Sequence, residues 1–144
     1  MFGTDRTQAR DGIRRILIVE DDALIAFDNE HALSDAGFSV VATVDNASDA
    51  LRLIARGGID LVMSDVNLRG EGDGVDVARA ARDAGIVLLF VSGHCPADAH
   101  GLAIGCLAKP YTQRDLLGSI EAVVAAQAGH RAGHLPRALT LFGE

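Results

Sequence analysis

The sequence predicts a three-layer α/β fold, in which a doubly wound, five-stranded parallel sheet is covered by helices. Five short apolar runs alternate with helical segments along the chain, in a (βα)5 pattern. The runs are apolar on both sides of each strand, as expected where helices cover both faces of a parallel sheet. Right-handed crossovers then favour an open sheet with the strand order 2-1-3-4-5.

Each element has its own local signal. The strands are predicted at residues 16–19, 38–44, 59–64, 86–91 and 106–108. The first helix follows the N-cap Asp22 and ends near Gly37, and the second follows the N-cap Asn46 and stops at Gly57. Two weaker helices are predicted at residues 75–84 and 96–104. A last helix begins after Thr112, with Asp115 completing a capping box and Leu116, Ile120, Val123 and Val124 on its apolar face.

The chain length and composition predict one domain. The 144 residues include 49% hydrophobic and 23% charged side chains, an ordinary balance for a folded domain that needs no metal or disulfide support. We expect an N-terminal tail at 1–13, the domain at 14–128 and a C-terminal tail at 129–144. The composition of the last tail is compatible with disorder, although its Leu139–Phe142 end is apolar enough to dock.

Charge and hydropathy argue against two kinds of partner. The formal net charge of −7 leaves no basic footprint for a nucleic acid. No apolar run approaches membrane-spanning length, and the polar N-terminus lacks a secretory signal, so we expect a cytoplasmic protein with no membrane partner. The cysteines Cys95 and Cys106 form no Cys-x-x-Cys pair, and we expect reduced thiols.

Polar residues gather where the predicted strands end. Glu20-Asp21-Asp22 follows the first strand, Asp65 the third, Ser92-Gly93 the fourth and Lys109-Pro110 the fifth. In the flavodoxin-like strand order the first strand neighbours the third, so Glu20 and Asp21 face Asp65. Such carboxylates repel one another unless one is protonated or a cation is bound, and oxygen ligands suit Mg²⁺. With Lys109, Ser92 and Gly93 added, the group suits a phosphoryl group.

These residues resemble the bacterial response-regulator receiver family over Arg14 to Ala128. The matching segments, in order along the chain, are Ile-Leu-Ile-Val-Glu-Asp-Asp (16–22), Asp-Leu-Val-Met-Ser-Asp-Val-Asn-Leu (60–68), Val-Ser-Gly (91–93) and Ala-Lys-Pro-Tyr (108–111). One such segment is weak evidence. Four in order, each at a strand end, are specific.

The resemblance implies a role for each matching position. It makes Asp65 the phosphoacceptor and Glu20 and Asp21 the acidic pair that binds Mg²⁺. It implies that the backbone carbonyl of Asn67 is a further metal ligand. Ser92 corresponds to the switch Ser/Thr that hydrogen-bonds the phosphoryl group, beside Gly93, and Lys109 to the lysine that pairs with that group; the bond before Pro110 is cis in the family.

The sequence departs from the family at one position. Many receivers carry an aromatic residue three positions before the lysine, where this chain has Cys106, so it lacks the aromatic partner of the usual coupling with Ser92. Phe90 to His94 and Lys109-Pro110-Tyr111 are similar to the subgroup named for its Phe-Ala-Thr-Gly-Tyr-like motif. That subgroup also lacks the aromatic switch, and its members are often stand-alone proteins.

The resemblance implies a signalling protein and no enzyme. A single-domain response regulator would take a phosphoryl group from a sensor histidine kinase or a histidine phosphotransfer protein, and would act by contact with an unknown downstream protein or as a phosphate sink. We expect a monomer or weak dimer. The alternative is a phosphate-independent, receiver-like adaptor. An aspartyl phosphatase is disfavoured, because Asn67 stands where such enzymes commonly carry a second aspartate as general acid.

Overall fold

The structure, a computed structural model, describes residues 12–68, 70, 72–96, 101–130 and 133–142. In these residues there are six strands and four helices. The strands are β1 (Arg15–Val19), β2 (Ser39–Val44), β3 (Leu61–Asp65), β4 (Val87–Ser92), β5 (Gly105–Ala108) and β6 (Leu139–Leu141). The helices are α1 (Ala23–Asp35), α2 (Ala47–Arg56), α3 (Gly74–Asp83) and α4 (Gln113–Gln127).

The sheet has the predicted order, with one strand added. Its strands lie in the order β2-β1-β3-β4-β5-β6, and the first five run parallel. The predicted doubly wound α/β fold is therefore confirmed. Since β1, β3, β4 and β5 are adjacent and parallel, the residues that follow them lie along one edge of the sheet.

Two apolar clusters cover the two faces of the sheet. In β1, Ile16 and Ile18 pack with α1 and α4 residues such as Leu33 and Ile120, whereas Leu17 packs on the opposite face. That opposite face is covered by α2 and α3, whose buried residues include Ala50, Ile54, Val77 and Ala81. The alternation along one strand produces the three layers, because successive side chains of a strand point to opposite faces.

Local signals placed most helix starts. The Asp22 carboxylate accepts hydrogen bonds from the N–H groups of Leu24 and Ile25 at the start of α1. At α4, Thr112 and Asp115 form the predicted capping box. No helix within the described ranges is both long enough and apolar enough to cross a bilayer.

The connection between β4 and β5 differs from the prediction. Residues 97–100 of the helix expected at residues 96–104 lie outside the described part of the chain. Residues 101–104 form a turn and irregular backbone that leads into β5, so the prediction is wrong there. Gly101 has a φ of +89°, in the left-handed region that interrupts a helix.

The C-terminal segment adds β6 to the free edge of β5. β6 runs antiparallel, pairing Leu139 with Leu107 and Thr140 with Cys106. The expectation of a loose tail is wrong for these residues, whereas the expected docking of the Leu139–Phe142 end is found. The close approach depends on Gly105, because a Cβ there would collide with the carbonyl oxygen of Thr140.

The residues before β1 also extend the core. Ile13, assigned to the N-terminal tail by the sequence analysis, is 1% exposed and packs in the cluster under α1 and α4. Apart from Gly12, the rest of that tail lies outside the described residues.

The two cysteines form a disulfide, so the prediction of reduced thiols is wrong. Cys95 and Cys106 have Cα atoms 6.0 Å apart. Cys106 lies on β5 opposite Phe90 of β4, and the chain after β4 turns back so that Cys95 packs against the same core face. Their proximity is a product of strand pairing, which the cysteine spacing does not reveal.

Candidate functional site

An acidic group lies where β1 and β3 end. Carboxylate oxygens of Glu20, Asp21 and Asp65 all lie within 4.8 Å of one another. Glu20 is 3% exposed and Asp65 is 7% exposed, so two of the three carboxylates are buried. Three oxygen donors this close fit a hard divalent cation such as Mg²⁺, because a cation removes the repulsion between them.

Lys109 brings a positive charge to two of these carboxylates. Its ammonium nitrogen lies 2.9 Å from Oε1 of Glu20 and 3.0 Å from Oδ2 of Asp65. The side chain of Lys109 is 19% exposed, so the ion pairs are partly shielded from water. Charge-assisted hydrogen bonds of this length are among the stronger polar contacts in proteins.

The environment changes the pKa of both partners in the pair. Burial raises the pKa of Glu20, and the Lys109 ammonium and the Asp22 N–H offset part of this rise. Burial alone would lower the pKa of Lys109, but its hydrogen bonds to Glu20 and Asp65 prevail and the pKa is raised. Lys109 therefore remains a cation in the site at neutral pH.

The turn after β3 fixes the Asp65 carboxylate. The backbone N–H of Asn67 donates to Oδ1 of Asp65 at 3.1 Å, while Oδ2 accepts from Lys109. Gly74, the first residue of α3, packs directly on the backbone of Asp65 and Val66, and a Cβ at this position would overlap both. Both carboxylate oxygens are thus held by donors from different parts of the chain.

Ser92 and Gly93 lie at the end of β4, beside Lys109. The backbone N–H of Lys109 donates to the carbonyl of Ser92 at 2.8 Å. The Ser92 side chain is fully buried, and its hydroxyl hydrogen-bonds the backbone N–H and carbonyl of His94, each at 3.0 Å. Gly93 is exposed. The strand order therefore places Ser92 at the same edge as Asp65, with its hydroxyl engaged in a local turn.

The loop after Lys109 contains a cis peptide bond and a hydrogen bond to α1. The Lys109–Pro110 peptide bond is cis. The hydroxyl of Tyr111 donates to Oδ1 of Asn29 on α1 at 2.9 Å, and Asn29 is 4% exposed. Asn29 was missed by the sequence analysis. Its signal was its place on the buried stripe of α1 between Ala26 and Leu33, where a polar residue needs a partner.

The arrangement suits chemistry on an anionic, oxygen-rich group. Asp65 offers a carboxylate at the centre, Lys109 a fixed positive charge, and Glu20 with Asp21 further oxygen ligands for a cation. Such a set of preplaced charges stabilises the charge that develops during phosphoryl transfer.

Comparisons with known proteins agree with this geometry. Residues 16–121 match the family model described as the response regulator receiver domain. The transcriptional regulatory protein PdtaR of Mycobacterium tuberculosis is 32% identical over 118 residues, which is 78% of this chain and 57% of that protein. The cell cycle transcriptional regulator CtrA of Caulobacter vibrioides is 32% identical over 123 residues, 81% of this chain and 52% of its own.

Solved structures give the same result. A response regulator receiver protein from Sinorhizobium medicae superposes with a TM-score of 0.71 at 30% identity, over 80% of this chain and 97% of that one. The signal receiver domain of a modulated diguanylate cyclase from Desulfovibrio desulfuricans also gives 0.71, at 27% identity, over 81% and 97%. This chain spans about half the length of the curated relatives it matches. With the acidic group, the lysine and the strand order in place, it belongs to the response regulator receiver domain family.

Proposed function

We propose that Asp65 is the phosphoryl acceptor of this receiver domain, in a reaction that requires Mg²⁺. Phosphorylation on an aspartate is the general property of the family. The observation that carries the assignment to Asp65 is the contact of its carboxylate with the Lys109 ammonium at 3.0 Å, inside the acidic group with Glu20 and Asp21. A phosphoryl group on Asp65 would meet this fixed positive charge directly.

The donor we propose is a phosphohistidine on a sensor histidine kinase or a histidine phosphotransfer protein. A carboxylate oxygen of Asp65 attacks phosphorus, and an O–P bond forms as the P–N bond to the donor imidazole breaks. The electron pair of the broken bond stays on the imidazole nitrogen, which takes up a proton. The product is an acyl phosphate on Asp65.

The other site residues support this transfer. Glu20, Asp21, Asp65 and the backbone carbonyl of Asn67 would hold Mg²⁺, which supplies positive charge to the phosphoryl oxygens. Lys109 pairs with those oxygens, and the Ser92 hydroxyl and the Gly93 N–H donate hydrogen bonds to them. The hydrogen bond from the Asn67 N–H to Asp65 supports the roles proposed for these two residues, because it holds the Asp65 carboxylate in one orientation.

The proposed output of the domain is a change in protein contact, or removal of phosphate from another regulator. We place the protein in the cytoplasm, as a monomer or weak dimer. The net charge of −7 argues against nucleic acid as a direct partner of this chain.

The test is phosphorylation of the purified chain by a small-molecule phosphodonor such as acetyl phosphate, with Mg²⁺ present or chelated, read by intact mass. We expect a single phosphoryl adduct that needs Mg²⁺, is lost in alkali and is absent from Asp65→Asn. The matched control is Asp35→Asn, which changes an exposed aspartate at the C-terminal end of α1. This variant should form the adduct like the wild type. No adduct on folded wild-type protein would reject Asp65 as an acceptor and favour the adaptor function.

A further inference from the structure

The Cys95–Cys106 disulfide links the turn that follows Ser92 to β5, the strand that leads to Lys109. Cys95 comes three residues after Ser92, and Cys106 comes three residues before Lys109. The same two segments are also joined by the hydrogen bond from the Lys109 N–H to the Ser92 carbonyl. The disulfide is therefore a covalent link between the segments that carry Ser92 and Lys109. Its Cys106 stands where many receivers carry an aromatic side chain.

The link restrains the turn that holds the Ser92 hydroxyl. Only Gly93 and His94 separate Ser92 from the tethered Cys95. Both hydrogen bonds of the Ser92 hydroxyl are to the backbone of His94, inside this short segment. For the hydroxyl to donate to a phosphoryl group on Asp65, at least one of these bonds must break. That rearrangement is harder while Cys95 is anchored to β5, because the anchor holds the segment in its present path.

We propose that the Cys95–Cys106 pair is a site of thiol–disulfide exchange, and that its redox state controls how readily Ser92 engages the phosphoryl group. This inference rests on the proposed function of Asp65. In the disulfide form the Ser92 turn is held closed. In the dithiol form residues 93–95 can move, and the hydroxyl is free to leave His94.

The exposure of the two cysteines determines which sulfur a reducing thiolate attacks. Cys95 is partly exposed, whereas Cys106 is fully buried in the core under α2 and α3. A thiolate of a low-molecular-weight dithiol attacks the sulfur of Cys95, and Cys106 leaves as a thiolate that takes a proton. The second thiolate of the dithiol then attacks the mixed disulfide, which releases the Cys95 thiol and the oxidised dithiol. A low-molecular-weight disulfide such as oxidised glutathione reverses the sequence.

The experiment compares the two redox forms of the full chain. One sample is treated with oxidised glutathione and the other with dithiothreitol, each reagent is removed, and the thiol state is verified by alkylation and mass. The initial rate of adduct formation is then measured with Mg²⁺ and acetyl phosphate. A competent state that is populated only in part lowers the apparent reactivity by that fraction, so we expect the reduced form to react faster, on the order of tenfold. The backbone N–H of His94 should also exchange hydrogen faster in the reduced form.

Two variants control for the cysteines themselves. Cys95→Ser changes a partly exposed position and Cys106→Ala a buried one, and neither can form the link. After either treatment, both variants should react as fast as the wild-type protein in its dithiol form. Equal rates in the two wild-type forms, or a redox effect that persists in Cys95→Ser, would overturn the coupling and leave the proposed function intact. Equal hydrogen exchange at the His94 N–H in the two forms would show that the Ser92 turn is not the cause of a difference in rate. Absence of an adduct in both forms would overturn the proposed function, and the coupling with it.

Discussion

Lys109 is the only lysine of the chain. The other members of the 13 lysine and arginine side chains are all arginines. Its ammonium contacts Glu20 and Asp65 at the same time. A lysine ammonium is a compact point charge with three donors, whereas the arginine fork is planar and larger. The compact ammonium thus sits between two buried carboxylates and contacts both of them.

Removing this charge should destabilise the metal-free protein. In Lys109→Met, Glu20 and Asp65 lose their counter-charge while buried, and we expect the free energy of unfolding to fall by about 3 kcal/mol. Mg²⁺ should then stabilise the variant more than the wild type, because it replaces the missing charge. Urea unfolding with and without Mg²⁺ measures both effects.

A surface ion pair provides the control for that variant. Arg82 pairs with Asp83, and its side chain is 53% exposed, so Arg82→Met should change the unfolding free energy by less than about 1 kcal/mol. A Lys109→Met protein as stable as the wild type in metal-free buffer would contradict the structural role of the ammonium.

Tyr111 gives the site a direct spectroscopic probe, because the chain contains one tyrosine and no tryptophan. Burial raises the pKa of Tyr111 above its ordinary value of 10.0. Its hydroxyl donates to the buried Asn29, so the loop after Lys109 is fastened to α1.

The raised pKa predicts alkaline destabilisation with a definite sign. Above the ordinary tyrosine pKa of 10.0, the unfolded chain loses the phenol proton while the folded chain keeps it. The contribution of Tyr111 to stability is thus fully present below that pH and falls as the pH rises towards the folded pKa. Ultraviolet absorbance should show phenolate forming at higher pH in the folded protein than in urea. The variant Tyr111→Phe should lose less stability in this range, and an equal loss would contradict the assignment.

The strand ends, more than the helices, position the candidate site. The end of β1 supplies Glu20 and Asp21, that of β3 supplies Asp65, and that of β5 leads to Lys109. Parallel pairing of neighbouring strands brings these ends together, with Val19 beside Ser64 and Ser92 beside Ala108. The helix caps contribute by fixing where the chain turns back after each strand.

β6 gives the sheet one strand more than the sequence predicted. It covers the edge of β5, where unpaired backbone groups would otherwise be open to another chain. Besides the strand pairing, the Ala108 N–H donates to the Ala138 carbonyl and the Phe142 N–H donates to the Ile104 carbonyl. Pro136 lies against Gly118 of α4, where a Cβ would come within 3.0 Å of its ring. Glycines at 105 and 118 thus leave room for the C-terminal segment.

Gly105→Ala should detach β6 without unfolding the domain. The added methyl group would collide with the Thr140 carbonyl, and we expect a loss of about 1–3 kcal/mol, typical of overpacking. Hydrogen exchange should become faster at the N–H groups of Ala108 and Phe142, while β1 and β3 stay protected.

Gly133→Ala is the matched control for this variant, since a Cβ at 133 meets no atom within 4 Å. It should leave the exchange of Ala108 and Phe142 unchanged. If Gly105→Ala exchanged at these amides like the wild type, the close packing of β6 on β5 would be rejected.

At the scale of the whole molecule, a bound cation should raise the stability of the fold. A ligand that binds only the folded state stabilises it by about 2.7 kcal/mol at a hundredfold excess over its dissociation constant. Mg²⁺ should therefore raise the free energy of unfolding of the wild type, and raise it less in Asp21→Asn, which keeps the fold and loses one carboxylate. Equal stabilisation of both proteins would place the bound ion away from Asp21.

The sequence by itself determined the order of the five parallel strands, the helix caps at Asp22, Asn46 and Thr112, and the residues of the acidic group. The strands, caps and acidic group follow from local patterns: apolar runs of strand length, Asp22 and Thr112 before helices, and polar residues directly after strands. The strand order follows from the right-handed crossovers that connect parallel strands. Parallel strands place such residues at one edge by geometry alone, so Glu20, Asp21, Asp65 and Lys109 could be grouped before any distance was known.

Only the tertiary structure decided which distant residues touch. The Cys95–Cys106 disulfide, the Tyr111–Asn29 hydrogen bond, the pairing of β6 with β5 and the Ser92 turn towards His94 all escaped the sequence analysis. Each depends on how two segments pack or on how a short loop bends. The local sequence pattern records which side chains are buried or capped, but the partner of each is set by the path of the folded backbone.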